Sequence, residues 1–115
     1  MISVKNEREL EIMRKACKIT AAARALAGEM VRPGVTTKQI DKAVYEFILS
    51  QGAKPTFLGY GGFPASTCIS INEVVIHGIP GNRVLNLVGE VLVFQHIYNI
   101  LTGFLWHRTC RAQAL

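Results

Sequence analysis

Aspartate is nearly missing from this 115-residue chain. Asp41 is the only one, and all acidic residues together number 8. So small a stock of carboxylates limits acid–base and metal chemistry from the outset. Cysteine is also scarce. Cys17, Cys68 and Cys110 are odd in number and far apart, which suggests neither a disulfide framework nor a zinc knuckle. A reducing, cytoplasmic setting is expected. No basic run exceeds two residues. The net charge of +5 therefore reads as an ordinary solvated surface, although a basic surface also suits nucleic acid or a ribosome. Met1 to Leu10 carry both signs of charge and no apolar segment, which excludes a secretory signal. Glu7, Glu9 and Glu11 argue against a transit peptide. What the chain has in quantity is apolar surface. Half its residues are hydrophobic and 18% are charged, a globular composition with core enough for one compact domain.

The first periodic segment runs from about Asn6 to Val31. Ile12, Ala16, Ile19, Ala23, Leu26 and Met30 alternate by fours and threes, which predicts one helical stripe. Asn6 is placed to cap it, and acids in its first turn suit the positive end of the helix dipole. Pro33 and Gly34 stop it. A second helix starts at a capping box, Thr36 with Gln39. Ile40, Val44, Phe47 and Ile48 form its buried face, and Gly52 closes it.

From Ala53 to Pro64 the pattern breaks. Phe57, Tyr60 and Phe63 are interleaved with glycines and prolines. This is an apolar loop that either lines a pocket or covers the core. Ser66 to Asn72 alternates as a strand, Asn72-Glu73 marks a turn, and Val74 to His77 reads as a second strand. Gly78 to Asn82 is another turn. From Val91 to His107, about 17 residues in all, no residue is formally charged. Val91 to Phe94 suits a buried strand, but no period organises the rest. Gln95, His96 and Asn99 make membrane insertion costly, so no membrane association is expected.

His77 closes an apolar strand just before Gly78-Ile79-Pro80. A histidine there is either a satisfied core residue or the polar group at the rim of a small apolar pocket. Composition does not decide between them.

The run Leu58 to Ser66, followed by Cys68-Ile69-Ser70-Ile71-Asn72-Glu73-Val74-Val75-Ile76-His77-Gly78-Ile79-Pro80, resembles the type I methionine aminopeptidases. Arg32 to Thr37 and the preceding helix match the opening of that family. The resemblance covers about residues 3 to 90. It implies an α/β (α+β) fold, the N-terminal half of a pita-bread fold, with two helices followed by an antiparallel sheet. It implies removal of the N-terminal methionine of nascent peptides by metal-activated water. In the intact family two divalent ions, such as Co, Mn, Fe or Zn, are held by five side chains. The ribosome is a possible further partner, and no specific nucleic acid is implied.

Carried over by resemblance, His77 is the catalytic and substrate-binding histidine that hydrogen-bonds the peptide near the scissile bond. Tyr60, Phe63 and Cys68 line the methionine pocket, where a thioether meets soft, aromatic walls. Phe57 falls in the same wall where many relatives carry a smaller residue. Gly61 stands where some relatives have histidine.

The resemblance breaks off after Glu90. An ungapped continuation puts Gln95 at the first metal-binding aspartate and Trp106 at the second. No aspartate follows Asp41 and no glutamate follows Glu90. No residue of this chain is therefore assigned as a metal ligand, and no metal is expected to be held by it. The expected organisation is an aminopeptidase part at 1–90 and a divergent apolar tail at 91–115, of the kind left by a shifted frame or an alternative splice. The chain then reads as an inactive fragment of an enzyme. The alternative is a non-catalytic binding module of the same fold, attached to the ribosome or to protein partners.

Overall fold

Asn6 opens the first helix. In this computed structural model, which describes residues 4–86 and the strand 92–95, its side chain accepts from Glu9 N at 2.9 Å. Glu9 accepts in return from Asn6 N at 2.8 Å. The start is thus a full capping box, one partner more than the sequence reading named. Helix α1 spans Glu7–Glu29 and buries Ile19, Ala23 and Ala27. The expected stripe is buried at Ile19 and Ala23 and half-buried at Ile12, Ala16, Leu26 and Met30, and Ala27, which the sequence reading did not name, is buried with it. Ile19, Ala23 and Ala27 lie four apart, along one ridge of the helix, and the small side chains of Ala23 and Ala27 let a neighbour approach closely.

That neighbour is α2, Thr37–Ser50. Its capping box forms as expected. Gln39 N donates to Thr36 Oγ1 at 3.2 Å, and Thr36 N donates to Gln39 Oε1 at 2.8 Å. Gly52, at φ +70°, turns the chain out of the helix. Ile40, Val44 and Ile48 join Ile19, Ala23 and Ala27 in one core, completed by Ala53, Ile69, Ile71 and Leu85, with Phe47 packed against it. Each of the fully buried isoleucines contributes about 2 kcal/mol of burial.

Strand β1, Cys68–Ile71, pairs antiparallel with β2, Leu92–Gln95. Cys68 stands opposite Gln95 and Ile71 opposite Leu92. The alternation around β1 suggested a strand with two unlike faces. All four of its residues are buried, so neither face of β1 is open to solvent.

The second strand expected at Val74–His77 does not form. Asn72 takes a left-handed φ of +51°, and Val74 N closes a turn onto Ile71 O at 3.1 Å. The chain then runs out into solvent, leaving Val75 and Ile76 exposed. It returns only at Gly78, whose carbonyl accepts from Ile69 N at 2.9 Å. Apolar, β-branched residues were a misleading signal here, since strand propensity yields to the turn beside it.

Residues 81–85 run beside the connector between the helices. Gly81 O accepts from Lys38 N at 3.0 Å and from Thr37 Oγ1 at 3.1 Å. Gly81 N donates to Thr37 Oγ1 at 2.8 Å. Leu85 N donates to Val35 O at 2.9 Å, and Thr36 bridges Val84. Free N–H groups at the start of α2 are thereby taken up by the chain itself. Among the described residues no helix is long and apolar enough to cross a membrane. The readings made for Trp106, Cys110 and the rest of the tail past Gln95 lie outside the described residues.

Candidate functional site

The glycines of the aromatic loop curl it onto itself. Gly59, at φ +82°, precedes a short 3-10 turn, Tyr60–Gly62. Gly59 N donates to Phe63 O at 2.8 Å, Tyr60 N to Phe57 O at 3.0 Å, and Phe63 N to Tyr60 O at 3.0 Å. The curl gathers three rings. Phe57 lies 4.7 Å from Phe63, tilted, and 6.1 Å from Tyr60, nearly parallel. These are the offset and tilted geometries that aromatic pairs prefer.

His77 reaches the same cluster from the other side of β1 in sequence. Its ring lies 6.3 Å from that of Phe57. His77 itself is exposed and holds a left-handed φ of +54°. Such a conformation in a residue with a Cβ costs on the order of 1–3 kcal/mol and persists only where neighbours enforce it. Four of the five residues singled out in the sequence, Phe57, Tyr60, Phe63 and His77, therefore meet around one ring.

Cys68 occupies a different environment. It is fully buried at the start of β1. Burial pushes its thiol up from 9.0 to about 11, and the Asp41 carboxylate adds to the rise. At neutral pH its thiol is protonated, which does not suit a nucleophile.

Two supporting residues were not legible in the sequence. Asp41, on α2, accepts from Ser66 N at 3.0 Å, Thr67 N at 2.8 Å and Thr67 Oγ1 at 2.6 Å, all through Oδ1. It ties α2 to the end of the aromatic loop. Ser70, buried in β1, accepts from Gly78 N at 3.1 Å. The one hint was that Asp41 is the sole aspartate, and nothing local marks Ser70. At the far side, Arg83 pairs with Glu73 at 3.4 Å. The Glu73 carboxyl is held below its usual value by its own backbone amide first and by Arg83 second.

The donor set does not fit a two-metal centre. Among the described residues no three His, Cys, Asp or Glu side chains come together. Asp41 spends one oxygen on three hydrogen bonds, Cys68 holds a protonated thiol, and Glu73 faces solvent beside Arg83.

Comparison with known proteins identifies the family. The profile of Metallopeptidase family M24 matches residues 11–112. A methionine aminopeptidase of Clostridium perfringens is 54% identical over 82 residues, covering 71% of this chain and 33% of that protein. Methionine aminopeptidase 1 of Bacillus subtilis is 48% identical over 85 residues, covering 74% of this chain and 34% of that protein. The chain thus spans about a third of the length of the curated relatives it matches. The crystal structure of methionine aminopeptidase from Rickettsia prowazekii superposes with a TM-score of 0.75 at 39% identity, over 80% of this chain and 37% of that one. That of Thermotoga maritima gives 0.74 at 36% identity, with the same coverage.

Proposed function

The chain belongs to metallopeptidase family M24 and has the N-terminal part of the pita-bread fold of the methionine aminopeptidases, and from that premise we propose that it carries the substrate-facing wall of such an enzyme without its metal-binding half. The observation that carries the reading is the ring cluster of Phe57, Tyr60 and Phe63 with His77 at its edge. Phe57, Tyr60, Phe63 and Cys68 offer a soft, apolar surface to a methionine side chain. His77 stands where it donates a hydrogen bond to the peptide beyond that side chain.

In the family's reaction, metal ions supply a water acidic enough to attack at neutral pH. The absence of a three-donor cluster among the described residues supports the reading that they do not hold such ions, and no hydrolytic step is assigned to them. The chain is proposed to be inactive alone, with residues 1–90 as the aminopeptidase part and 91–115 as a divergent tail. Its substrate class is the N-terminal methionine of nascent peptides, its compartment the cytoplasm, and the ribosome its further partner.

A second reading draws on a specific observation. Val75, Ile76 and Ile79 are 80%, 55% and 61% exposed, in one segment. Exposed apolar residues in a row suit contact with a partner. A non-catalytic binding module would use them.

The test is methionine release from a Met-Ala-Ser peptide by the purified chain, with cobalt or manganese added and retained metal measured. The proposal expects no release and no retained metal, together with peptide-dependent quenching or shift of the aromatic cluster. Turnover that vanishes in His77→Ala sinks the inactive reading. Absence of any peptide response sinks the substrate wall.

A further inference from the structure

Among the described residues, the non-glycine positions with positive φ are Asn72, at +51°, and His77, at +54°. They bracket the exposed segment Glu73–Ile76. Each needs something to hold it, since a left-handed residue with a Cβ relaxes wherever its neighbours permit. At Asn72 the tie is the turn from Val74 N to Ile71 O. At His77 it is the peptide unit that follows.

That unit and the one after it are each held to β1. The N–H of the first, on Gly78, donates to Ser70 Oγ at 3.1 Å in a buried setting. The next carbonyl, of Gly78, accepts from Ile69 N at 2.9 Å. The approach is so close that a Cβ on Gly78 would lie 2.1 Å from Ile69 O and 2.9 Å from Ser70 Cα. Ser70 is 1% exposed, so its hydroxyl is held away from bulk water. A buried N–H without an acceptor is costly, and the chain would turn that peptide to find one.

We infer that Ser70 is a positioning residue: its hydroxyl fixes the peptide after His77, which holds His77 left-handed and keeps its imidazole beside the Phe57 ring. The inference rests on the reading of His77 as the group that faces the peptide substrate. It deepens that reading by naming the buried side chain that aims the imidazole. In this role Ser70 acts through the backbone.

The experiment uses the full chain labelled with 15N and 13C. It follows two local signals, hydrogen exchange at the Gly78 amide and the backbone coupling and Cα shift of His77. In the unaltered chain the Gly78 amide exchanges slowly and His77 gives left-handed values. In Ser70→Ala the Gly78 amide exchanges faster by at least about 100-fold, and His77 moves to extended values, while the amides of Leu85 and Gln51 keep their protection. Ser70→Thr, which keeps the hydroxyl, restores both signals.

Unchanged Gly78 exchange and His77 shifts in Ser70→Ala overturn the inference. If that variant does not fold, the threonine variant decides: slow Gly78 exchange with left-handed His77 supports it, and fast exchange in a folded chain overturns it. Adding the Met-Ala-Ser peptide to the unaltered chain separates the two claims. A His77 signal that ignores the peptide removes the substrate role and leaves the positioning result standing.

Discussion

Cys68 and Gln95 are partners across the β1–β2 ladder. Partner residues in such a ladder have Cα atoms roughly 5 Å apart. The resemblance to the methionine aminopeptidases assigns Cys68 to the pocket wall and puts a metal-binding aspartate of the relatives at Gln95. Under that proposed assignment, the register would set the pocket wall and the first metal position side by side. At Gln95 a neutral amide stands in place of a charge.

Restoring that charge alone should not create a metal site. In Gln95→Asp one carboxylate returns, but no group of three donors exists among the described residues. Manganese or cobalt retained after dialysis, measured by elemental analysis, should stay well below one equivalent. A stoichiometric ion would mean that further ligands come from the residues after Gln95.

Removing Asp41 should loosen the site from below. Asp41→Ala strips the acceptor from Ser66 N, Thr67 N and Thr67 Oγ1. Buried donors that lose a charged partner cost on the order of 3 kcal/mol together. Thermal melting should fall accordingly. Asp41→Asn, which keeps an acceptor oxygen, should lose less.

Stability should decline in base because of Cys68. Its folded pKa, about 11, lies above the ordinary 9.0. Below pH 9 the thiol is protonated in both states and nothing is lost. Between pH 9 and 11 the unfolded chain sheds that proton first, so the folded state loses on the order of 2 kcal/mol as pH rises. Melting curves of Cys68→Ala should lack this part of the alkaline decline. In the native chain at pH 8, peptide mapping after alkylation should find Cys17, which is exposed, labelled well before Cys68.

The segment after Asn72 should govern solubility. Val75 is 80% exposed and Ile76 55%. Rows of exposed apolar residues promote association. The chain should associate progressively as its concentration is raised, and Val75→Lys with Ile76→Lys should raise the soluble fraction without lowering the melting temperature. A freely soluble, cooperatively melting monomer would contradict this.

Much of the helical half was legible because its signals are local. Thr36 and Gln39 lie three residues apart, and a capping box needs nothing beyond that turn. Ile40, Val44 and Ile48 share a face by helical period alone. The full burial of Ala27 was not legible, since it depends on where α2 lies against α1. Val74 to His77 misled because its residue types suit a strand, whereas its conformation follows from two left-handed residues and from what Gly78 meets. The site divides in the same way. Its residue types were readable through resemblance, and its supports were not. Asp41 reaches Ser66 and Thr67 across 25 and 26 residues, and no pattern in the sequence marks such a pair.

By itself the sequence determined the helix starts, the buried face of α2, the aromatic character of the loop and the poverty in carboxylates. These depend on neighbours within a few residues, or on composition. Only the tertiary structure decided that Phe57 stands at the centre of the ring cluster, that Cys68 sits opposite Gln95, and that Ser70 holds the peptide after His77. Those relations join segments distant along the chain. They exist only once the core of α1, α2 and β1 has brought the segments to one place.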